Sequence, residues 1–508
     1  MVVVADEVLG LDATGQAELV SRREVSAIEL VEAAAARLAE VNPTLNAVIH
    51  PAVDRARRAA AGRLPKGPFT GVPFLIKDLI AHEVDEPFHE GIRGLAERGF
   101  REDRDTRLVE LFGAAGLVSI GRTNTSELGL LPTTEPLVYG PTRNPWDLSR
   151  SPLGSGGGSA AAVAVGVVPL AHSNDGGGSI RLPASACGLI GLKPTRGRVS
   201  LAPVYGDLIS GTVTEFAITR SVRDTAALLA AVSAPQVGEP YAPFRAPRDP
   251  RGPLRVGVMS STPRNEHPVH PACKTAVEIT AAALGELGCV VEESYPAALD
   301  DERFPSEAAK IMPFAFAAFA MAWWQRRTGV ALAADDVEPW TWVCAERGRK
   351  LSAVDYLSAV EYIQAWTRRL SWWWHDGYDL LLTPTLGEPP PPLGSFAAPA
   401  TGLRSAQIVS FAYAFNLSGH PAISLPCHRD DGLPIGVQLI AAHGHEDLLL
   451  QVSADLEQAM TWTTHTLPVD LDLNETREPP KGQPQSRPPP TGRNPARGAP
   501  PPGSLVPL

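Results

Sequence analysis

Two periods of apolar and polar residues organise this chain. Near the N-terminus the spacing is helical. Ile28, Val31, Ala35 and Leu38 share a face behind the capping signature Ser26-Ala-Ile-Glu29, and the helix is expected to stop before Asn42-Pro43. The run from Gly71 to Lys77 is short, apolar and ends in a lysine, which predicts an interior strand. Residues 106–115 read as a helix closed by Gly116, leading into a strand at Leu117–Ile120. Ser159 to Gly166 reads as a short Ala/Val helix and Val167 to His172 as a buried strand, and Ser221-Val-Arg-Asp224 caps a further helix. Arg255–Met259, Pro271–Leu287 and Cys289–Glu292 form a strand–helix–strand unit. Residues 303–375 read as mostly helical and carry eight of the ten tryptophans, either as packing onto the core or as an aromatic wall over a cleft. Tyr378–Thr383 reads as a strand, Ala422–Pro426 and Ile435–Ala441 pair across the turn at Arg429–Gly432, and Glu446–Met460 is the last helix.

Strands interleaved with helices predict an α/β fold: one large domain with a mixed sheet. A separate domain after the proline-rich stretch Pro235 to Pro253, read as a surface linker, is the weaker alternative, because strands return at 378–441. From about Arg477 the composition changes. The last 32 residues hold 11 prolines, no aromatics, five basic residues and one acid, which predicts a disordered tail over 477–508.

Composition narrows the function classes. With 44% apolar and 20% charged residues, the 508-residue chain has an ordinary globular make-up. Its net charge, 45 − 56 = −11, disfavours nucleic acid and anionic membrane as partners. The N-terminus lacks a basic signal-like region, and the apolar run Pro313 to Trp324 is shorter than the roughly 18 residues of a membrane span. Five scattered cysteines without a CxxC give no disulfide or metal framework and suit a cytoplasmic protein.

Candidate chemistry concentrates between Ser151 and Ser200. Ser155 and Ser179 lie 24 residues apart, each wrapped in glycine. Asp175-Gly-Gly-Gly-Ser179 is either a flexible turn or a nest of N–H groups able to hold an oxyanion beside a nucleophile. The nucleophile elbow G-x-S-x-G fails at both serines, no S-x-x-K occurs, and Gly154 to Ser159 lacks the Lys-Ser/Thr of a phosphate-binding loop. His172, seven residues before Ser179, has no geometric case as its base and reads better as a core or supporting histidine. Lys77 does have a case. Arginine supplies 38 of the 45 basic residues, so a lysine ending an apolar strand suggests that a titratable amine is needed. A lysine that merely snorkels to the surface is the plain alternative.

These motifs together resemble the amidase signature family. The resemblance rests on GVPFLIKD, SPLGSGGGSAAAVA, NDGGGSIRLPASACGLIGLKPTRGRVS, Gly121 to Glu127, Thr142 to Trp146, and the closing HPAISLP and GLPIGVQLIA. It covers residues 8–465 of a domain bounded at 1–470. It implies a single α/β domain with a mixed, mostly parallel sheet flanked by helices. It further implies a Ser–cis-Ser–Lys triad, with Ser179 as nucleophile, Ser155 as the bridging serine and Lys77 as base. The oxyanion hole would come from Gly176, Gly177, Gly178 and Ser179. The sequence departs from the family at Gly156, which removes a hydroxyl following the bridging serine, and at Asn174, where threonine is commoner. Within the family, Thr134-Glu-Pro, Thr142 to Trp146, His172-x-Asn-Asp and DLLLQV look closest to the group that opens the cyclic dimer of 6-aminohexanoate. The implied partner is a small-molecule amide, with a homodimer also expected and no cofactor or metal. A tRNA-dependent amidotransferase subunit and a catalytically silent binding protein on the same fold are the rival readings.

Overall fold

The computed structural model describes residues 7–233, 253–397 and 401–462. The tail expected over 477–508 and all but the end of the linker expected at 235–253 lie outside them. One sheet of eleven strands runs through the described residues. In chain order these are β1 Val48–Pro51, β2 Pro73–Lys77, β3 Val118–Thr123, β4 Leu170–Asp175, β5 Ile190–Lys193, β6 Thr214–Thr219, β7 Arg255–Val258, β8 Val290–Glu293, β9 Leu380–Pro384, β10 Ala422–Asp430 and β11 Leu433–Ala441. Across the sheet the order is β1-β3-β2-β4-β6-β5-β10-β11-β9-β7-β8.

The sheet is mixed, but the expectation that parallel pairing dominates is corrected. Only β3–β2, β2–β4, β9–β7 and β7–β8 pair in parallel. The other six neighbouring pairs are antiparallel. The reason is partly local: β10 and β11 join through a short turn, and only antiparallel strands can be joined so tightly. The same hairpin overturns the two-domain alternative. β10 and β11 enter between β5 and β9, so strands from both sides of the linker share one sheet.

Helices cover the faces. The first long helix runs Ala27–Leu45 behind the Ser26–Glu29 capping box, four residues past the stop expected before Asn42-Pro43. Pro43 is tolerated because the last turn is held from outside. Asn42 Oδ1 accepts the N–H groups of Ala47 and Val48, and Leu45 is fully buried. Of the tryptophans between 303 and 375, Trp324 and Trp366 are core residues, Trp374 is buried and Trp372 is exposed, so packing explains most of this segment. No helix among the described residues is long and apolar enough to cross a membrane.

Candidate active site

Three segments converge at the carboxyl end of the parallel pair β2–β4. β2 is buried along its whole length, so its apolar run Pro73–Ile76 carries Lys77 into the interior. Ser155 follows a cis Gly154–Ser155 peptide and precedes the buried helix Gly157–Ala164. Ser179 sits between β4 and the helix Arg181–Cys187. The three side chains belong to residues exposed by only 0%, 1% and 8% respectively.

Lys77 and Ser155 meet directly: Nζ lies 2.8 Å from Ser155 Oγ. Nζ also lies 2.6 Å from Asn174 Oδ1, while Asn174 Nδ2 donates to the Leu79 carbonyl at 2.9 Å. That second bond fixes which end of the amide faces the lysine. Burial lowers the Lys77 amine to about 7, against opposing pulls from Glu215, Asp175 and Glu90. A neutral population is therefore present near pH 7. Ser179 is tied to Ser155's segment through its main chain, its carbonyl accepting the Gly156 N–H at 3.2 Å.

β4 explains the support around this pair. Successive strand residues face opposite ways. His172 and Asn174 meet Lys77, and Ser173 and Asp175 meet the Ser179 turn. His172 Nδ1 accepts the Lys77 main-chain N–H at 3.2 Å, so Nε2 carries the proton and donates to Glu215 Oε2 at 2.5 Å. Both ring nitrogens are spent, which makes His172 a support rather than a base for Ser179. Asp175 is buried, which alone would raise its carboxyl. Arg181, pairing at 2.9 and 3.0 Å, and Asn416 overcome this and hold it well below the usual carboxylate range.

The glycine nest is only partly available. The Gly178 N–H donates to Asp175 Oδ1 at 2.6 Å and is already committed. Its φ of +122°, which a side chain would resist, aims it there. The N–H groups of Gly176, Gly177 and Ser179 donate to no other group among the described residues. Of the four N–H groups expected to form the hole, that of Gly178 is therefore taken, and those of Gly176, Gly177 and Ser179 remain. Val213 and Met312 side chains lie within 3.3 Å of where a Cβ on Gly176 would sit, and Tyr413 lies 3.7 Å from that of Gly177, giving the nest an apolar wall.

The family model described as Amidase matches residues 29–450. The chain belongs to the amidase family. A 6-aminohexanoate-cyclic-dimer hydrolase of Paenarthrobacter ureafaciens is 43% identical over 476 residues, 89% of this chain and 95% of that protein. A putative amidase AmiC of Mycobacterium tuberculosis (strain ATCC 25618 / H37Rv) is 37% identical over 478 residues, covering 90% and 96%. The solved structure of 6-aminohexanoate cyclic dimer hydrolase complexed with substrate matches with a TM-score of 0.86 at 42% identity, covering 91% of this chain and 99% of that one.

In this member of the amidase family, one group of metal-type ligands comes together among the described residues: His50, Asp78 and His89, with donor atoms within 4.8 Å. It is built as a hydrogen-bond network. Asp78 is paired with buried Arg122 at 3.0 Å, and both His89 ring nitrogens are engaged, by Tyr139 Oη and the Phe100 carbonyl. A cation there would face the guanidinium. The sequence singles out Lys77, Ser155 and Ser179 as candidates, and marks Asn174 only as a departure from the family. Its period-two relation to His172 puts both on one face of β4, but that this face meets Lys77 follows only from the pairing of β2 with β4.

Proposed function

We propose that this chain hydrolyses carboxylic amides by acyl transfer through Ser179, Ser155 and Lys77. The carrying observation is the 2.8 Å contact between Lys77 Nζ and Ser155 Oγ in a buried site where the amine is lowered to about 7. Neutral Lys77 takes the proton from Ser155 Oγ, and Ser155 takes the one from Ser179 Oγ as that oxygen attacks the amide carbon. The new oxyanion is held by the N–H groups of Gly176, Gly177 and Ser179. Asn174 Oδ1 accepts one amine hydrogen, so the nitrogen lone pair is left facing Ser155. The protons return through Ser155 to the leaving amine as the carbon–nitrogen bond breaks. Water then attacks the Ser179 ester by the same relay, releasing the acid.

The substrate reading follows from the apolar wall of Val213, Met312 and Tyr413 beside the nest and from the 43% identity to a cyclic-dimer hydrolase. It is an amide with a medium-sized apolar acyl group, the cyclic dimer of 6-aminohexanoate among them. The cytoplasm is the proposed compartment, supported by five free cysteines. The test is kcat/KM of the purified chain alone on the cyclic dimer, a hexanoyl amide and acetamide. The cyclic dimer and the hexanoyl amide should outpace acetamide. Acetamide as the best substrate would remove the apolar cleft, inertness toward the cyclic dimer would remove that substrate, and no turnover of any amide would favour the silent or partner-dependent readings.

A further inference from the structure

Ser179 opens the turn into the helix Arg181–Cys187, and its carbonyl has an unusual problem. The helix bonds around it are made: Gly178 O accepts Leu182 N–H at 2.7 Å and Ile180 O accepts Ala184 N–H at 3.1 Å. The residue four on from Ser179 is Pro183, which has no N–H. The Ser179 carbonyl therefore has no helical donor, and in a buried turn it needs another. Two arrive from outside the helix, Gly156 N–H at 3.2 Å and Ser173 Oγ at 3.3 Å.

These two donors are packed against each other. A Cβ built on Gly156 would lie 2.1 Å from Ser173 Oγ and 2.6 Å from the Ser179 carbonyl oxygen. Residue 156 must therefore be glycine for the Ser173 hydroxyl to be where it is. The hydroxyl missing after the bridging serine has a counterpart one strand away, in the space that a side chain at 156 would take. Ser173 is fully buried on β4, whose register is fixed by pairing with β6 from Leu170 to Asp175, so its hydroxyl is held in place.

We infer that Ser173 and Gly156 act together as a clamp on the Ser179 carbonyl, positioning the nucleophile against the Ser155 segment. Ser173 is a positioning residue, acting through the Ser179 main chain and touching no reacting atom. The inference rests on Ser179 being the nucleophile.

The test is a double-mutant cycle read by kcat, KM, the rate of fluorophosphonate labelling and thermal stability. Ser173→Ala should lower kcat and the labelling rate together by about 10- to 100-fold, because a shift of the nucleophile by a fraction of an ångström is enough. KM and the pH midpoint of the rate should stay as in wild type, since neither the cleft nor Lys77 is altered. Gly156→Ala should be more damaging, its methyl group displacing the Ser173 hydroxyl and pressing on the Ser179 carbonyl. Adding Ser173→Ala to Gly156→Ala should cost nothing further, because the hydroxyl it removes is already displaced. Ser173→Ala with kcat and labelling within twofold of wild type would overturn the clamp, as would effects that simply multiply in the double variant. Should Gly156→Ala fail to fold, the labelling rate of Ser173→Ala decides alone. Turnover surviving in Ser179→Ala would instead overturn the assignment of the nucleophile.

Discussion

At the residue scale the site turns on one amine. As the proposed base, Lys77 depends on the burial that lowers it to about 7, and the groups around it keep that balance. Asn174 accepts from Nζ without adding charge. Asn174→Asp would place a carboxylate 2.6 Å from the amine position and favour the ammonium form. Below its pKa the lysine is protonated and cannot act as base, so the rate should rise with pH through about 7 in wild type. In Asn174→Asp that rise should move upward by about 1–3 pH units, with much of the lost activity recovered at high pH. A pH–rate profile checks this, and an unmoved midpoint would detach Asn174 from Lys77. Lys77→Arg should fail across the whole range, because a guanidinium keeps its proton.

Lys77 was legible in the sequence from its rarity among arginines and its place at the end of an apolar run. Asn174 and Ser173 were not, because their roles depend on which strand lies beside β4. Gly178 shows the same limit. A glycine run announces free N–H groups, but that one of them is spent on Asp175 is decided by how the turn folds back on β4.

At the element scale, β4 and the helix Arg181–Cys187 are joined by a buried ion pair with every donor used. Arg181 bonds Asp175 twice and also reaches Ala412 O, Gln438 Oε1 and Asn416 Oδ1. Gln438 lies on β11, so one side chain ties the Ser179 turn to the distant half of the sheet. Arg181→Ala leaves Asp175 buried and unpaired and should cost about 3–5 kcal/mol. Arg181→Lys should recover only part of this, since an ammonium cannot fork to four partners. Denaturant unfolding measures both, and a loss below 1 kcal/mol in Arg181→Ala would show that Asp175 finds other support. Element types were largely readable from periodicity, while boundaries moved. The strand expected at Val167–His172 is Leu170–Asp175, because its pairing with β6 runs through Asp175 and the turn at 166–169 holds the chain back. The helix expected to stop before Asn42-Pro43 winds on to Leu45, where tertiary burial outweighs the proline.

At the scale of the molecule, sheet order was the part least visible in the chain. An alternating strand–helix text suggests parallel pairing, and it holds within β3-β2-β4 and β9-β7-β8 but not at the β1 edge. In the middle, β6, β5, β10 and β11 pair antiparallel, with partners as far apart in sequence as β5 and β10. Local pattern carries no information on such pairings. That arrangement has a functional consequence: it brings Asn416 and Gln438 behind the turn that presents Ser179.

The central claim is that Ser179 is the atom-bearing nucleophile of an amide hydrolase driven by Lys77 through Ser155. The most direct measurement is the site of attachment of a fluorophosphonate, mapped by peptide mass spectrometry on the wild type, Ser179→Ala and Lys77→Ala. The account predicts one adduct, on Ser179, absent from Ser179→Ala and formed far more slowly in Lys77→Ala, with amide turnover lost in step. An adduct on another residue, or undiminished amide turnover in Ser179→Ala, would contradict it.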